Sequence, residues 1–241
     1  MLYAPHNDSA PRPHAPPAAP RNRILASLPS DELALVQPHL FRASLVASQV
    51  VFEKDAPPDA VYFVEQGLIA LLADVGNDER IQIGMTGFEG VRGASVMIQP
   101  DLVTAYHSVV EVPGWAYRMQ VADFHRAVAQ APVFRDLCLR HINAFVRQIA
   151  QTSACNGRHD LPRRLCRLLL MAHDRAGGDD LLLTQGQIAR MIGVRRAGVS
   201  TVMAALQGSD LLRQARGRVT LLDREGVKNL ACDCYAMMEL T

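Results

Sequence analysis

Arginine, serine and threonine side chains between residues 184 and 218 have the chemistry of phosphate and base recognition. Arg195 and Arg196 open a segment with helical apolar spacing, and Ser200 and Thr201 follow about one turn later. Guanidinium groups bind phosphates and guanine edges in pairs of hydrogen bonds, and hydroxyls add single bonds. The region from residue 157 to 218 has eleven arginines and five acidic residues, although the whole chain has net charge +1. This local excess of positive charge is typical of a module that contacts nucleic acid.

Two short helices are predicted to position these side chains. Thr184 and Gln187 have the spacing of a capping box, and Gly193 is suited to end the first helix. The second helix is predicted to begin at about Arg195 or Arg196 and to end at Gly208, with one apolar face. This pattern predicts a helix-turn-helix, whose second helix enters the DNA major groove.

A small hairpin with a basic tip is predicted to follow. Apolar runs at 211–212 and 219–222 flank the segment Arg216-Gly217-Arg218. Two such runs around a basic turn are typical of the wing of a winged helix. The alternative is a plain helical hairpin with a solvated arginine face. The predicted DNA-contacting residues are Thr184, Gln185, Arg195, Arg196, Ala197, Ser200, Thr201, Arg216 and Arg218.

The region before residue 122 has the pattern of an antiparallel β-roll. Short β-type runs alternate with turn signals, among them Glu65-Gln66-Gly67 and Val112-Pro113-Gly114, which are predicted to separate strands. We therefore predict a double-stranded β-helix of the jelly-roll type. The loop at 85–94 departs from strand patterning because it contains three glycines. Its residues Gly87, Glu89 and Gly90 could cradle an anion or a sugar, and the alternative is a tight corner of the roll.

A long amphipathic helix is predicted after the roll. Its apolar stripe consists of Phe134, Cys138, Ile142, Phe145 and Ile149. Such a stripe must be covered, either by the chain's own roll or by a second copy, and we predict that it forms a dimer interface. Asn156-Gly157 is predicted to break this helix and to form a hinge.

The predicted class is α+β, with four regions in 241 residues. They are a disordered proline-rich arm (1–20), the β-roll effector-sensing domain (21–122), the long dimerisation helix and hinge (123–156), and the winged helix-turn-helix domain (157–241). A last helix is predicted from Asp223 to about Glu239. No apolar run has the length of a membrane span, and no secretory signal is found, so we expect a cytoplasmic protein without membrane partners.

The cysteines and the catalytic residue types predict neither a metal site nor an enzyme. None of the five cysteines forms a Cys-x-x-Cys pair, and the histidines do not have zinc-binding spacings. A redox role for Cys232 and Cys234 stays open. No nucleophile–base pair and no acidic dyad stands out in the sequence.

The order helix, β-roll, long helix and winged helix-turn-helix resembles the Crp/Fnr family of bacterial transcription regulators. The resemblance spans about residues 24–232. The motifs are GVRRAGVSTVMAALQGSDLL, the wing segment GRVTLLDREGV and the hairpin-like segment 61–67. The resemblance implies a homodimer that binds a palindromic operator in double-stranded DNA. It also implies an N-terminal effector domain and RNA polymerase as a partner.

Departures from the family pattern qualify what the resemblance implies. Members that bind cyclic AMP grip its phosphate with an arginine, which is absent around Thr104, although Gly87-Phe88-Glu89-Gly90 stands at the first ligand segment. Cyclic AMP in the usual mode is therefore not expected, and the effector, which would lie beside Thr104 and the 87–90 loop, is unknown. The N-terminal cysteine group of the iron–sulfur members and a haem ligand pair are also absent, so neither cofactor is expected.

On the base-reading face the family often has Arg, Glu and Arg, whereas this chain has Arg196, Ala197 and Thr201. We therefore expect an operator that departs from the usual half-site. The predicted function is a sequence-specific, homodimeric DNA-binding regulator. The alternative is a small-molecule or redox sensor with weak DNA binding that acts through protein contacts.

Overall fold

The computed structural model describes residues 20–77, 79–99 and 101–238. It confirms the α+β class: an N-terminal antiparallel sheet is followed by a long helix and then by a helical domain with a small second sheet. Apart from residue 20, the predicted proline-rich arm lies outside the described residues. None of the described helices is both long enough and apolar enough to span a membrane.

The N-terminal sheet consists of six strands, all paired antiparallel. Its order is β1-β6-β3-β4, with β2 also paired to β6 and β5 to β3. The strands are β1 (Phe41–Leu45), β2 (Val50–Phe52), β3 (Ala60–Asp74), β4 (Arg80–Thr86), β5 (Val91–Arg92) and β6 (His107–Gln120).

Two predicted turns are wrong, because β3 and β6 run through them as continuous strands. The pairing of β3 with β6 shifts register around Gln66, which marks a bulge where a turn was expected. Gly67 has a φ of +97° there, and a methyl group on it would lie 2.6 Å from the carbonyl oxygen of Val112. The glycine that suggested a turn therefore allows two long strands to cross closely.

Four helices surround this sheet: α1 (Arg23–Ala26), α2 (Ser30–Val36), α3 (Val121–Gln130) and α4 (Pro132–Arg158). An aromatic group from the sheet, α3 and α4 forms the centre of the core. Phe63, Phe124 and Phe134 are fully buried, with ring centroids 5.7 to 6.5 Å apart. Such tilted and edge-to-face aromatic pairs add to the stabilisation that burial alone provides.

The predicted apolar stripe of α4 packs on the chain's own roll, so the predicted dimer interface needs correction. Phe134 and Cys138 are fully buried within the chain and have no surface left for a second copy. Ile142 packs against the same core. Phe145 and Ile149 lie against Gly84 of β4, where an added methyl group would be 2.7 Å from the Phe145 ring. The physical reason is that side chains of the sheet and of α3 already cover this stripe within the chain.

The C-terminal region begins with α5 (Leu161–Ala176) and contains a three-stranded sheet of order β7-β9-β8. Its other elements are β7 (Asp180–Leu181), α6 (Gln185–Ile192), α7 (Arg196–Gly208), β8 (Leu212–Ala215), β9 (Arg218–Leu221), α8 (Arg224–Leu230) and α9 (Cys234–Met237). The helix α4 continues through Asn156-Gly157 to Arg158, so the predicted break is wrong. The predicted last helix is interrupted after Leu230, and α9 follows as a separate turn.

Candidate nucleic-acid interface

The helix pair α6–α7 is built by local signals that the sequence contains. The hydroxyl of Thr184 accepts from the backbone N–H of Gln187 at 3.2 Å, and the Gln187 side chain accepts from the Thr184 N–H at 2.9 Å. This capping box was predicted and is confirmed. Gly193 ends α6 in the left-handed region with a φ of +73°, as expected for a glycine at this position. Ala189 is buried within the same core as α7, which allows the helices to pack closely.

The outer face of α7 is basic and exposed. Arg195 lies at the N-cap, Arg196 begins the helix, and both side chains are exposed, as are Ala197 and Thr201. The Thr201 hydroxyl donates to the carbonyl oxygen of Ala197 at 3.2 Å. On the opposite face Val199, Met203 and Leu206 are buried. The structure therefore brings the predicted base-reading residues together on one free surface.

A chain of side-chain hydrogen bonds connects α7 with the start of α6 and with the hairpin β8–β9. Ser200 is partly buried, and its hydroxyl donates to Gln185 Oε1 at 2.5 Å. Gln185 Nε2 in turn donates to Gln214 Oε1 at 2.6 Å. Ser200 and Gln185 therefore hold the three elements in one arrangement, a role that the sequence patterns did not indicate.

The predicted wing is present as β8–β9 with its basic tip. Arg216 is exposed at the turn, and Gly217 has a φ of +72°. Arg218 donates to Asp180 of β7 at 3.1 Å, and about half of each side chain is exposed. An ion pair so open to water is weak, so its guanidinium can exchange the carboxylate for another anion.

Arg190, one of the eleven arginines of this region, contacts the roll. Arg190 of α6 donates to both carboxylate oxygens of Glu111, at 2.9 and 3.0 Å. Gln187 Nε2 donates to Glu111 Oε2 at 3.0 Å as well. Glu111 lies on β6 and is fully buried. This contact joins the helix-turn-helix to the roll, and sequence reasoning missed it because it connects residues 79 positions apart.

Residues of the predicted effector loop (87–90) form hydrogen bonds and close contacts with other parts of the chain. Glu89 Oε1 accepts from Arg175 Nε of α5 at 2.7 Å, and Glu89 Oε2 accepts from the Gly87 N–H at 3.1 Å. A methyl group at Gly90 would lie 1.9 Å from the His141 ring, so this glycine is required for close packing. Burial lowers the pKa of His141 to about 4, with opposing effects from nearby charges.

Thr104 does not share these partners, so its grouping with the loop needs correction. Its hydroxyl donates to the carbonyl oxygens of Glu53 and Ala56, and its backbone pairs with the same 53–56 segment. Threonine hydroxyls often satisfy nearby backbone groups in this way.

A cavity of about 710 Å³ lies beside Glu89. Its walls come from α1, α4, α5 and α9, and its charged or titratable lining is mostly cationic. These residues are Arg23, Arg140, His141, Arg147, Arg175 and Glu89. The positive lining favours an anionic occupant.

Four side chains of metal-ligand type meet where α4 ends. Cys155 and His159 come from the end of α4, and Cys232 and Cys234 come from the segment after α8. Sequence analysis predicted no metal site, because the two pairs are far apart in the chain and neither has a common zinc spacing. The signal that could have found them is the i, i+4 spacing of Cys155 and His159 on one helix face.

Comparison with known proteins agrees with this architecture. Residues 163–230 match the family profile of the Crp-like helix-turn-helix domain. No curated protein sequence matches the chain significantly.

Several solved regulators have the same fold. FixK2 from Bradyrhizobium japonicum is 17% identical, with a TM-score of 0.67 over 80% of this chain and 98% of its own. TTHB099, a regulator of the CRP family from Thermus thermophilus, is 18% identical, with a TM-score of 0.64 over 78% and 96%. CLP, the c-di-GMP responsive global regulator from Xanthomonas campestris, is 16% identical, with a TM-score of 0.62 over 80% and 99%. At these identities the likeness shows the fold.

Proposed function

We propose that this chain, which belongs with the Crp/Fnr transcription regulators by its helix-turn-helix domain and its fold, is a homodimeric, sequence-specific DNA-binding protein. The observation that supports this most directly is the exposed arginine pair at the start of α7, opposite an apolar face that fixes the helix. The matched proteins are regulators, which agrees with the expectation that the chain is not an enzyme.

In this proposal α7 enters the major groove with its N-terminal end towards the bases. Arg196 donates to the O6 and N7 atoms of a guanine, and Ala197 and Thr201 contact a thymine methyl group. Because the side chains of Thr184 and Gln185 already bond within the protein, we expect the backbone N–H groups at the start of α6 to bind phosphate. Arg216 and Arg218 of the wing bind the adjacent backbone.

Base readout and phosphate contact can be separated by two arginine substitutions. Arg196→Ala is expected to weaken binding to the selected operator by about 1–3 kcal/mol and to relax one base position. Arg218→Ala is expected to weaken all sequences alike and to reduce the slope of log affinity against log salt by about 1. Arg135→Ala is the matched control, because Arg135 is exposed on α4, outside the DNA-binding region.

The measurement is competition binding of operator variants at several salt concentrations. Identical behaviour of the two substitutions would contradict these assignments. Weak binding without sequence preference would favour the alternative, a sensor that acts through protein contacts. Selection of bound sequences also tests the operator, since return of the usual family half-site would contradict the roles given to Ala197 and Thr201.

For the homodimer, the exposed face of α4 offers an interface different from the predicted stripe. Five exposed residues recur at intervals of four and three, which is the seam spacing of a coiled coil. They are Leu139, Asn143, Val146, Ala150 and Ser153. The exposed fractions of Leu139 and Val146 are 43% and 57%. Small residues at the later positions would let two helices approach closely, and contact of the dimer with RNA polymerase stays a prediction.

For the sensor domain, we infer that cyclic AMP does not bind in the usual way. Glu89 already pairs with Arg175, and the His141 ring packs against Gly90, so the loop has little free surface for a cyclic phosphate. Addition of cyclic AMP should leave the thermal unfolding midpoint and the operator affinity unchanged. A rise in either would contradict this inference. The cavity lined by Arg140 and Arg147 is the place where we expect an anionic effector.

A further inference from the structure

The cluster at the end of α4 has the composition and the dimensions of a binding site for one metal ion. Three thiol sulfurs and one imidazole nitrogen all lie within 4.8 Å of one another. Cys155 Sγ and Cys232 Sγ are 3.4 Å apart, and Cys234 Sγ and His159 Nδ1 are 3.5 Å apart. Cys155 and His159 share one face at the end of α4, and Cys232 and Cys234 flank the start of α9.

We propose that Cys155, His159, Cys232 and Cys234 bind one zinc ion in a tetrahedral Cys₃His site. With Zn–S and Zn–N bonds of about 2.3 and 2.0–2.1 Å, the edges of such a tetrahedron are about 3.8 Å for sulfur–sulfur and 3.6 Å for sulfur–nitrogen pairs. The two distances above differ from these edges by a few tenths of an ångström. An iron–sulfur cluster requires its ligands to surround several iron atoms, whereas four ligands this close enclose a single ion.

The burial of the ligands indicates a structural site and not a catalytic one. Cys155 is fully buried, Cys232 and Cys234 are 5% and 4% exposed, and His159 is partly buried. All four tetrahedral positions are supplied by protein, so no position stays open for water or substrate.

The surroundings of the cluster favour a negative charge there. Gln151 Nε2, one turn before Cys155, donates to Cys234 Sγ at 3.0 Å. Such a hydrogen bond to a ligand sulfur is typical of the outer shell of a metal site.

Two arginines of α5 also lie close enough to act electrostatically on Cys155 and Cys232. These are Arg164 and Arg167, and the Nε atom of each is buried and has no partner in the described residues.

Arg167 is the more informative of these two arginines. It is 5% exposed, and its hydrogen bonds within the described residues reach only the Thr152 hydroxyl and the sulfurs of Met171 and Met238. A buried guanidinium without an anionic partner is costly. One zinc ion with three thiolates and a neutral imidazole has a net charge of −1, which would provide the missing counter-charge.

Because the ligands come from two regions of the chain, the ion would join the end of α4 to the tail of the DNA-binding domain. The site would therefore fix the junction between the roll, its long helix and the helix-turn-helix. This inference does not rest on the proposed DNA binding, and its test needs no DNA.

The test is metal analysis of the full-length protein, purified under reducing conditions. We expect about one zinc ion per chain by mass spectrometry of the metal content. Cys232→Ala should lower this content to background. Cys138→Ala is the matched control, because Cys138 is also fully buried but lies in the core of the roll, and this variant should keep the metal.

Cobalt substitution tests the geometry independently of these variants. Co²⁺ added to the metal-depleted wild-type protein should give the intense visible absorption and the thiolate charge-transfer bands of a tetrahedral site. Zinc should displace the cobalt ion. Zinc binding should also raise the thermal unfolding midpoint above that of the metal-depleted protein by several degrees. The proposal is overturned if the folded, reduced protein takes up neither ion, if cobalt gives the weak spectrum of an octahedral complex, or if Cys232→Ala binds zinc as well as wild type does.

Discussion

The contact between Glu111 and Arg190 allows a sharp test of how the DNA-binding domain is held on the roll. The Glu111 carboxylate is fully buried and accepts two bonds from Arg190 and one from Gln187. The Arg190 side chain, by contrast, is 37% exposed. The two partners therefore differ in what their removal leaves behind.

Loss of the arginine should cost more than loss of the carboxylate. Arg190→Ala leaves a buried carboxylate with one remaining side-chain donor, and breaking a buried pair in this way costs about 3–5 kcal/mol. Glu111→Gln keeps the side-chain size and removes the charge, while water can reach the exposed guanidinium. We expect a cost of about 1–2 kcal/mol for this change. The double variant should be more stable than Arg190→Ala alone, since it no longer buries an unpaired charge.

The assay is urea unfolding of the four proteins, with stability compared at a constant m-value. Arg135→Ala serves as a surface control and should change stability by less than about 0.5 kcal/mol. If Arg190→Ala were no more destabilising than Glu111→Gln, the Glu111 carboxylate would be less desolvated than its burial indicates, which would refute the expected order of the two costs.

Three further outcomes follow from the packing. Since burial lowers the pKa of His141 to about 4, with the charges of Arg92 and Arg175 acting in the same direction and Glu89 against it, the unfolded chain binds this proton more readily. The contribution of the neutral His141 to the free energy of unfolding should therefore be complete above pH ~6.5 and should fall by up to about 3 kcal/mol as the pH drops to about 4. His141→Gln should reduce this loss, as measured by urea unfolding at each pH. Val146→Lys on the exposed seam of α4 should shift the mass measured by light scattering towards that of the monomer. Val133→Lys, which is exposed but lies off the seam, should leave the mass unchanged. Equal masses of the two variants would exclude the seam as the dimer interface. Gly114→Ala should destabilise by about 2–3 kcal/mol or more, because its Cβ would lie 2.1 Å from the Gln66 carbonyl oxygen, while Gly208→Ala, with no atom within 4 Å, is the control in thermal unfolding.

Structural elements that depend on local interactions could be predicted from the amino-acid sequence alone. The capping box of Thr184 and Gln187, the helix end at Gly193 and the basic wing all depend on residues a few positions apart, so their patterns predicted the structure correctly. The α+β class followed from the change of periodicity between the roll and the helices. The exposed arginine face of α7 followed too, because the apolar positions of a short helix identify its opposite face.

Which surface covers each apolar face depends on the tertiary packing. The stripe of α4 predicted that Phe134 and Cys138 would be covered, and a sequence pattern cannot distinguish the chain's own sheet from a second copy. Gly67 and Asn156-Gly157 are permissive and do not enforce a turn or a helix end, so the neighbouring strands and helices determined their conformation.

Long-range polar contacts likewise could not be predicted from the sequence. Glu111 and Arg190 are 79 positions apart, and Cys155 and Cys232 are 77 apart. Neither member of either pair has a local pattern that identifies its partner. These pairs exist because the fold packs α6 on the roll and the segment after α8 on the end of α4, where buried polar groups must find partners.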